Sequence, residues 1–298
     1  MIDYQLLQAL YAVVTEKGFD RAAQTLFITQ SAVSKRIYQL ESLLGEPVLI
    51  RTKPPKATEL GVKLLTHLQQ VKQLELSLNL QSSTEFVDKQ LPVSVKISAN
   101  ADSLATWLPE ALSVPEDYCD FKYRFEIIAE DQTIALNRMK AGEVMISICS
   151  IDKPVNGGKV FELGALRYFV ICSPAFKKRY NITSLHQLTE LPCLVFDEHD
   201  KLQHQFLTHL NGSLPKYTHI CPSSEGFKQA MIAGLGYGLL PSLQLGETIE
   251  KGELVNLMPE FYLDTPLYWH CWETESIQLE MLRCHAITIA SKRLYQII

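Results

Sequence analysis

Residues 29–45, TQSAVSKRIYQLESLLG, decide how the N-terminal part of this chain folds. Thr29 can cap a first helical turn and Gly45 can end a last one. Apolar side chains recur between them at the spacing of one helical face: Val33, Ile37, Leu40 and Leu44. A different face is polar: Ser31, Ser34, Lys35 and Tyr38. The stretch therefore predicts a helix over 30–44 that buries one face and offers the other to a partner.

Two shorter helices are predicted before this one. The first spans about 4–17 and ends at Gly18, and the second runs from Arg21 to about Phe27 with Asp20 as its cap. A turn then completes a helix-turn-helix, the arrangement that inserts the start of its last helix into the major groove of DNA. A small solvated helical bundle would show the same periodicity, so helix spacing alone does not separate the two interpretations.

The residues after the third helix favour DNA. A short β-prone run leads to a tip that carries Arg51, Lys53 and Lys56 with the non-helical pair Pro54-Pro55. Such wings lay basic side chains along the DNA backbone or into the minor groove. A charged hairpin tip is more often solvated surface, so this interpretation depends on the position of the tip directly after the third helix.

A long helix is predicted from Glu59, with Thr58 as its cap. Its apolar residues recur at a mean spacing near that of a coiled-coil seam: Leu60, Leu64, Leu68, Val71, Leu74 and Leu78. A small N-terminal domain offers such a helix no neighbour, so we expect a second copy of the chain to pack on it. The polar stretch 81–90 is typical of a hinge.

From Pro92 onward, segments of strand and helix character alternate. The strand-like segments are about 93–97, 121–129, 144–149, 168–173, 193–197 and 238–241. The helix-like segments are about 104–112, 132–140, 184–189 and the residues after Ser224-Glu225. The alternation predicts a largely parallel sheet covered on both faces and divided into two α/β lobes, with a ligand beyond the carboxyl ends of the strands.

The composition is that of a globular protein of two or three domains, with 298 residues of which 47% are hydrophobic and 20% charged. Formal net charge is −5, but residues 1–60 hold seven Lys and Arg against six acids, which leaves the acidic excess to the remainder. The seven cysteines form no CxxC pair, and neither a signal-peptide pattern nor a long apolar run occurs. We therefore expect a cytoplasmic protein with no membrane partner.

Several groups of residues, in this order and spacing, resemble one family. They are Gly18-Phe19-Asp20-Arg21-Ala22-Ala23, Thr29-Gln30-Ser31-Ala32-Val33-Ser34-Lys35-Arg36-Ile37, Gly45-Glu46-Pro47-Val48-Leu49, Thr58-Glu59-Leu60-Gly61 and Gly234-Leu235-Gly236-Tyr237-Gly238-Leu239-Leu240-Pro241. In these motifs the chain is similar to LysR-type transcriptional regulators. The resemblance spans essentially the whole chain.

The resemblance implies a multi-domain α/β protein. A winged helix-turn-helix would cover 1–58, a linker and dimerisation helix with its hinge 59–90, and a two-lobed periplasmic-binding-protein-like effector domain 91–298. Lobe one would comprise about 91–162 and 266–298, and lobe two about 163–265. The implied partners are a double-stranded DNA operator, a small-molecule effector, RNA polymerase and a second copy of the chain, in a homodimer or homotetramer. No cofactor, metal or catalytic residue is expected.

We expect ten residues of the first domain to contact DNA: Arg21, Thr29, Gln30, Ser31, Ala32, Ser34, Lys35, Arg36, Arg51 and Lys53. Side chains at the start of the third helix would meet base edges, and the basic side chains around them would meet phosphates.

A narrower resemblance, to family members that regulate basic amino acid export and metabolism, is carried by three further groups. They are Asn100-Ala101-Asp102-Ser103-Leu104-Ala105-Thr106-Trp107-Leu108, Ser223-Ser224-Glu225 and Leu267-Tyr268-Trp269-His270. It implies lysine or arginine as the effector; a different small molecule of another pathway is the alternative. The expected effector site is Asn100, Asp102, Ser103, Thr106, Glu130, Asp131 and Asp197.

Within that site, Ser103 lies at a predicted helix start, where backbone N–H groups favour the effector carboxylate. Glu130, Asp131 and Asp197 follow strands and are the candidates for the cationic groups. Asp102 as a helix cap and Asp197 as solvated surface remain open alternatives.

Other classes of protein fit less well. An enzyme is not indicated, because no nucleophile elbow, phosphate loop, zinc-protease helix or dinucleotide fingerprint occurs. His199, His204 and His209 would lie about 140° apart on a helix, a poor spacing for a shared metal ion. A periplasmic amino-acid receptor would explain the two lobes but has no use for a DNA-binding head.

Overall fold

The computed structural model describes residues 3–77, 92–119, 121–130, 135–198, 200, 202–209 and 215–296. Its first three helices are α1 (Tyr4–Thr15), α2 (Phe19–Thr25) and α3 (Gln30–Leu44). The helix over 30–44 is confirmed at both ends: the Thr29 side chain accepts from the Ala32 N–H, and Gly45 ends the helix with a φ of 74°. Val33, Ile37 and Leu40 are buried as their spacing predicts.

The cap of α2 differs from the sequence-based expectation. The helix begins at Phe19 with Gly18 as its N-cap, so Asp20 lies inside the first turn and does not cap it. The Gly18 carbonyl already accepts from the Ala22 N–H at 3.1 Å, which starts the helix before Asp20 is reached. Asp20 is still favourable there, since a negative charge in the first turn complements the helix dipole.

The wing is a short antiparallel hairpin of β1 (Leu49–Ile50) and β2 (Lys56–Ala57). It leads into the long helix α4 (Glu59–Ser77), where the Thr58 hydroxyl oxygen accepts from the Gly61 N–H at 3.1 Å. The predicted cap of the long helix is therefore confirmed. The predicted hinge at 81–90 lies outside the described residues.

The apolar stripe of α4 has two parts in different environments, and the first part packs on its own domain. This corrects the expectation that the helix has no neighbour there. Leu64, Leu65 and Leu68 are buried in the same apolar cluster as the helix-turn-helix. The α1 and α4 helices are in contact, and the Lys72 ammonium lies 4.1 Å from the centre of the Tyr11 ring. The first half of the stripe thus completes the core of one chain, and among the described residues of the later part Leu74 is 49% exposed.

The C-terminal domain is built on one mixed sheet of seven strands. They are β3 (Val93–Ala99), β4 (Tyr123–Ala129), β5 (Ile146–Cys149), β6 (Gly158–Cys172), β9 (Gly238–Pro241), β10 (Val255–Asn256) and β11 (Leu263–Trp272), in the order β10-β6-β11-β5-β3-β4 with β9 on β6. A separate parallel pair joins β7 (Pro192–Val195) to β8 (Tyr217–Ile220). Only β3 with β4 and β3 with β5 are parallel in the large sheet, so the expectation of a largely parallel sheet was wrong.

Two long strands explain both the mixed sheet and the two lobes. The first half of β6 pairs with the second half of β11, which also pairs with β5 in lobe one. The second half of β6 pairs with β9 and β10 in lobe two. Because β6 and β11 are antiparallel and pass from one lobe to the other, they form a double connection between the lobes.

Helices cover both lobes: α5 (Ala101–Ala105), α6 (Leu108–Leu112), α7 (Ala135–Lys140), α8 (Pro174–Arg179), α9 (Leu202–His209), α10 (Ser224–Ile232), α11 (Ser242–Glu250) and α12 (Ile277–Arg293), with a 3₁₀ turn at Leu185–Glu190. The predicted helix at about 104–112 is two short helices, because the chain bends at Thr106. Among the described residues, no helix combines the length and apolar character that crossing a membrane requires.

Candidate functional site

The proposed DNA face of the helix-turn-helix is polar and accessible. Seven of the ten expected residues are exposed: Arg21, Thr29, Gln30, Ser31, Lys35, Arg51 and Lys53. Ala32, Ser34 and Arg36 are half-buried. The face therefore presents hydroxyl, amide and basic groups together at the start of α3 and on the wing.

Two of the basic residues on this face also have side-chain partners within the domain. The Arg36 guanidinium donates to the Gln5 side-chain oxygen at 2.9 Å, which ties α3 to α1. The Arg51 guanidinium lies 3.8 Å from the Glu41 carboxylate, a weak and exposed ion pair that a phosphate can replace. Arg36 thus orients α3, whereas Arg51 is available to a nucleic acid.

A cavity of about 420 Å³ lies between the two lobes of the C-terminal domain. Its walls come from the ends of β3, β4, β5 and β7, from the starts of α5, α9 and α10, and from β9 and β11. The polar residues that line it are Asn100, Asp102, Glu130, Ser150, Asp200, Gln203, Gln205, Ser224, Asp264 and Thr265. The carboxyl ends of the parallel strands thus meet at the cavity, where ligands bind in such sheets.

Among the described residues that line the cavity, four carry carboxylates and none carries a cationic side chain. Two of the four have arginine partners outside the lining. Arg138 pairs with Glu130, and Arg167 forms a two-pronged pair with Asp264 in which both N···O distances are 2.8 Å. These two carboxylates are therefore wholly or partly neutralised by the protein.

Among the described residues, Asp102 and Asp200 have only neutral hydrogen-bond donors. Asp102 accepts from the Tyr168 hydroxyl at 2.7 Å and from the Ser224 hydroxyl at 2.5 Å. Asp200 accepts from the backbone N–H groups of Phe196 and Leu202, at 2.9 and 3.0 Å. Within the described part of the chain, no lysine or arginine forms an ion pair with either one.

Burial makes both charges costly. It raises the pKa of Asp102 above its ordinary value, and the hydrogen bonds from Ser224 and Tyr168 only partly oppose the shift. Burial likewise raises the pKa of Asp200, where the two backbone N–H groups lower it and the charge of Asp102 raises it further. A cation that entered the cavity would favour the charged form of both groups.

Further polar atoms, from two carboxamides and one carboxylate, also face this region without a hydrogen-bond partner among the described residues. Both side-chain atoms of Asn100 are buried in this way, as are the Gln203 carbonyl oxygen and the Glu130 Oε2. All three residues line the cavity. Buried polar groups are normally hydrogen-bonded, so these atoms indicate a polar occupant.

The structure brings together Asn100, Asp102 and Glu130 of the seven residues expected from sequence to bind an effector. Ser103 is fully buried behind the lining, and the Thr106 hydroxyl donates to the Asp102 carbonyl at 2.6 Å. Asp102 caps no helix, since its carboxylate is bonded to side chains of other elements.

The remaining two expected residues lie elsewhere. Asp197 lines an adjoining cavity of about 290 Å³, which shares Asp200 and Gln203 with the first. Asp131 lies outside the described residues.

Sequence reasoning missed Asp200, Gln203 and Asp264. Asp200 and Gln203 lie at the start of α9, a helix that the sequence pattern did not indicate. Asp264 is the second residue of the strand β11, which was also not predicted. The one available signal for Asp200 was an acid three residues beyond Asp197, shortly before residues 202–209, in which apolar and polar side chains are mixed.

The histidines considered as metal ligands give no site. His199 lies outside the described residues, and His204 and His209 are exposed on α9. Over the described ranges, no group of three or more His, Cys, Asp or Glu side chains could hold a metal ion.

Comparison with known proteins establishes the class. Residues 4–62 match the model of the bacterial regulatory helix-turn-helix proteins of the lysR family, and residues 94–284 match the LysR substrate-binding domain. Together the two matches cover most of the chain. The chain therefore belongs to the LysR family of transcriptional regulators, as the sequence motifs and the fold both predicted.

Within that family, the chain is similar to proteins described as the HTH-type transcriptional regulator ArgP. It is 46% identical over 286 residues to the one from Pseudomonas fluorescens strain Pf0-1, covering 95% of each chain. It is 42% identical over 301 residues to the one from Pseudomonas aeruginosa strain PAO1, covering 100% of this chain and 99% of the relative.

Two solved structures are also similar. The crystal structure of ArgP from Mycobacterium tuberculosis matches with a TM-score of 0.84 and 30% identity, over 99% of both chains. Full-length LysG from Corynebacterium glutamicum with bound effector Arg matches with a TM-score of 0.79 and 30% identity, over 99% of this chain and 100% of the other.

Proposed function

We propose that this LysR-type regulator binds lysine or arginine in the cavity between its lobes and controls genes of basic amino acid export or metabolism. One observation carries the proposal. Asp102 from lobe one and Asp200 from lobe two line the same cavity, and among the described residues neither has a cationic partner. The effector named for LysG supports a basic amino acid, and the ArgP relatives support the same kind of regulator.

The charges of the cavity wall match such a ligand. Asp264 is balanced by Arg167, but Arg138 is shared between Glu130 and Glu143, so this group keeps a net negative charge. A basic amino acid brings two ammonium or guanidinium groups and one carboxylate. The acids would take the cationic groups, and the unpartnered carboxamide of Asn100 has a donor for the carboxylate.

We keep Ser103, Thr106, Asp131 and Asp197 as proposed members of the wider effector site. Ser103 and Thr106 lie behind Asn100 and Asp102 and would shape that wall of the cavity. Asp197 would act from the adjoining cavity. The amide of Gln203 gives the occupant a further acceptor.

For the rest of the molecule we propose a division into 1–58, 59–90 and 91–298, with lobe one over 91–162 and 266–298 and lobe two over 163–265. The ten residues of the DNA face would bind an operator, with two copies joined through α4 as a dimer or a dimer of dimers. RNA polymerase is the further macromolecular partner, and no catalytic step is proposed. The exposed polar face of α3 and the basic wing support this arrangement.

Isothermal titration calorimetry on the full-length protein tests the site. The wild type should bind lysine or arginine, and Asp102→Asn and Asp200→Asn should each weaken binding by about tenfold or more, because each removes a charge from a desolvated ion pair. Asp152→Asn, an exposed acid outside the cavity lining, is the matched control and should bind like the wild type. Equal affinity in all four proteins would contradict the assignment of the cavity.

A further inference from the structure

One arginine beside the cavity is divided between two carboxylates. The Arg138 guanidinium binds Oε1 of Glu130, and its Nη1 donates to Oε2 of Glu143 at 2.6 Å. The three side chains are largely buried, with 29%, 15% and 23% of their surfaces exposed. Oε2 of Glu130 is buried and has no hydrogen-bond partner among the described residues, so it remains able to accept a cation from the cavity.

The other end of this triad is next in sequence to Gly142, which contacts the linker helix α4. Glu143 follows Gly142, which has a φ of 71° and ends the turn after α7. The Gly142 carbonyl accepts from the Gln69 side-chain amide of α4 at 2.7 Å, and Gln69 is only 4% exposed. A Cβ at position 142 would lie 3.4 Å from both Gln69 Cγ and Leu65 Cβ, so the turn is packed closely on α4.

We propose that Arg138 is a positioning residue that transmits occupancy of the cavity to the linker helix. A ligand cation at Oε2 of Glu130 reduces the negative charge that Arg138 feels from that side, and Glu143 becomes its stronger partner. Arg138 then moves with Glu143, which is covalently joined to Gly142, and the hydrogen bond that the Gly142 carbonyl accepts from Gln69 carries the displacement to α4. The inference rests on the proposed function, because it needs a cationic effector.

The cavity offers a matched control. Arg167 also neutralises a cavity carboxylate, Asp264, and it lies against the rings of Tyr262 and Tyr295 at 3.7 and 4.0 Å. None of these partners lies in α4. Removal of Arg167 changes the charge of the cavity wall in the same way but leaves the contact with the linker helix intact.

The test uses the full-length protein and a promoter fragment that the wild type selects from genomic DNA. Lysine and arginine affinities are measured by calorimetry, and DNA affinity is measured with and without saturating lysine or arginine. The ratio of the two DNA affinities reports coupling, and for the wild type it should be about fivefold or more in either direction. Arg138→Gln and Gln69→Met should bring this ratio to within about twofold of one, while Arg167→Gln should keep it.

Gln69→Met keeps the length of the side chain, lacks the donor and leaves the cavity untouched. Its effector affinity should stay within about twofold of the wild type, which a general loss of folding would not give. Arg138→Lys should restore part of the coupling, because an ammonium can bridge the two carboxylates. If Arg138→Gln does not fold, Gln69→Met carries the test.

If Arg138→Gln or Gln69→Met folds and keeps the wild-type ratio of DNA affinities, the inference is overturned and the proposed function is unaffected. A wild type that binds neither lysine nor arginine overturns both.

Discussion

Asp102 is kept in the folded chain at an energetic cost. A buried carboxylate with only hydroxyl donors is less stable as an anion than the same group in water, which is why its pKa is raised. Carboxylates with perturbed pKa values cluster at functional sites, where a bound ligand can favour the charged form. The same reasoning applies to Asp200, which interacts with the charge of Asp102.

This gives a prediction for pH. A bound cation favours the ionised forms of Asp102 and Asp200, so binding should release protons, and affinity should fall as pH falls below the raised pKa values. The loss approaches tenfold per pH unit for one displaced proton. Lysine and arginine keep their own charges between about pH 5 and 8, so the dependence belongs to the protein.

Calorimetric titrations of the effector at one pH, repeated in buffers with different enthalpies of ionisation, give the number of protons released on binding. Asp102→Asn should reduce that count, and Asp152→Asn should not. Affinity that rises on acidification would contradict the sign derived from the raised pKa values.

Two residues of the proposed DNA face, Ser34 and Lys53, can be tested separately. Ser34 lies on the polar face of α3, so Ser34→Ala should weaken one or two base preferences by about 1–3 kcal/mol. Lys53 lies on the exposed wing, so Lys53→Ala should weaken all sequences alike and lower the salt slope by about one. Binding selections across operator variants at several salt concentrations would measure both. Unchanged binding by both variants would remove the assignment of the DNA face.

At the scale of elements, α4 packs on the core of its own domain and is proposed to join a second copy of the chain. Its early leucines complete the core of the first domain, whereas Leu74 is 49% exposed on the later part of the helix. Leu74→Glu should therefore give folded monomers with reduced operator affinity, because two half-sites bind best through one linked dimer. Analytical ultracentrifugation measures whether the variant is monomeric, and circular dichroism measures whether it is folded.

Leu68→Glu is the informative comparison. It places a charge in the apolar cluster shared by α1, α3 and α4 and should destabilise the N-terminal domain by at least about 3 kcal/mol. A Leu74→Glu protein that remains dimeric would show that chains join through another surface.

Elements with local signals were predictable from sequence, and those that depend on distant pairing were not. The bounds of α3 follow from Thr29, Gly45 and the apolar stripe between them. The helix α12 buries one face, but the buried polar residues Gln278 and His285 and the exposed Ile277 obscure the apolar stripe that would reveal it. The strand β11 is defined by its pairing with β6, about a hundred residues earlier in the chain.

The candidate site shows the same division. Asn100, Asp102 and Glu130 follow strands that the alternation located, so they could be selected in advance. Asp200 and Asp264 reach the cavity through the tertiary structure. Asp264 is placed there by β11, which connects the lobes together with β6, and Asp200 is placed there by the position of α9. The pairing of Asp264 with Arg167 across these strands is likewise a product of register.

At the scale of the whole molecule, we propose that an operator and an effector bind separate parts of one chain. If occupancy of the cavity changes DNA affinity by some factor, DNA must change effector affinity by the same factor. Effector titrations of the protein with and without saturating promoter DNA should therefore reproduce the ratio found in the reverse experiment. A mismatch between the two ratios would show that lysine or arginine acts at a second place.

We propose that the acidic cavity recognises the distal cation of a basic amino acid. Norleucine has the backbone of lysine and an apolar side chain of similar length without the ammonium group. Calorimetric titration of the full-length wild type with lysine, arginine and norleucine therefore isolates the charge. We expect binding of lysine or arginine and at least about a hundredfold weaker binding of norleucine, since norleucine keeps only its α-ammonium group and its methyl end would leave at least one of the buried carboxylates of Asp102 and Asp200 without a cation. Equal affinity for lysine and norleucine would contradict it.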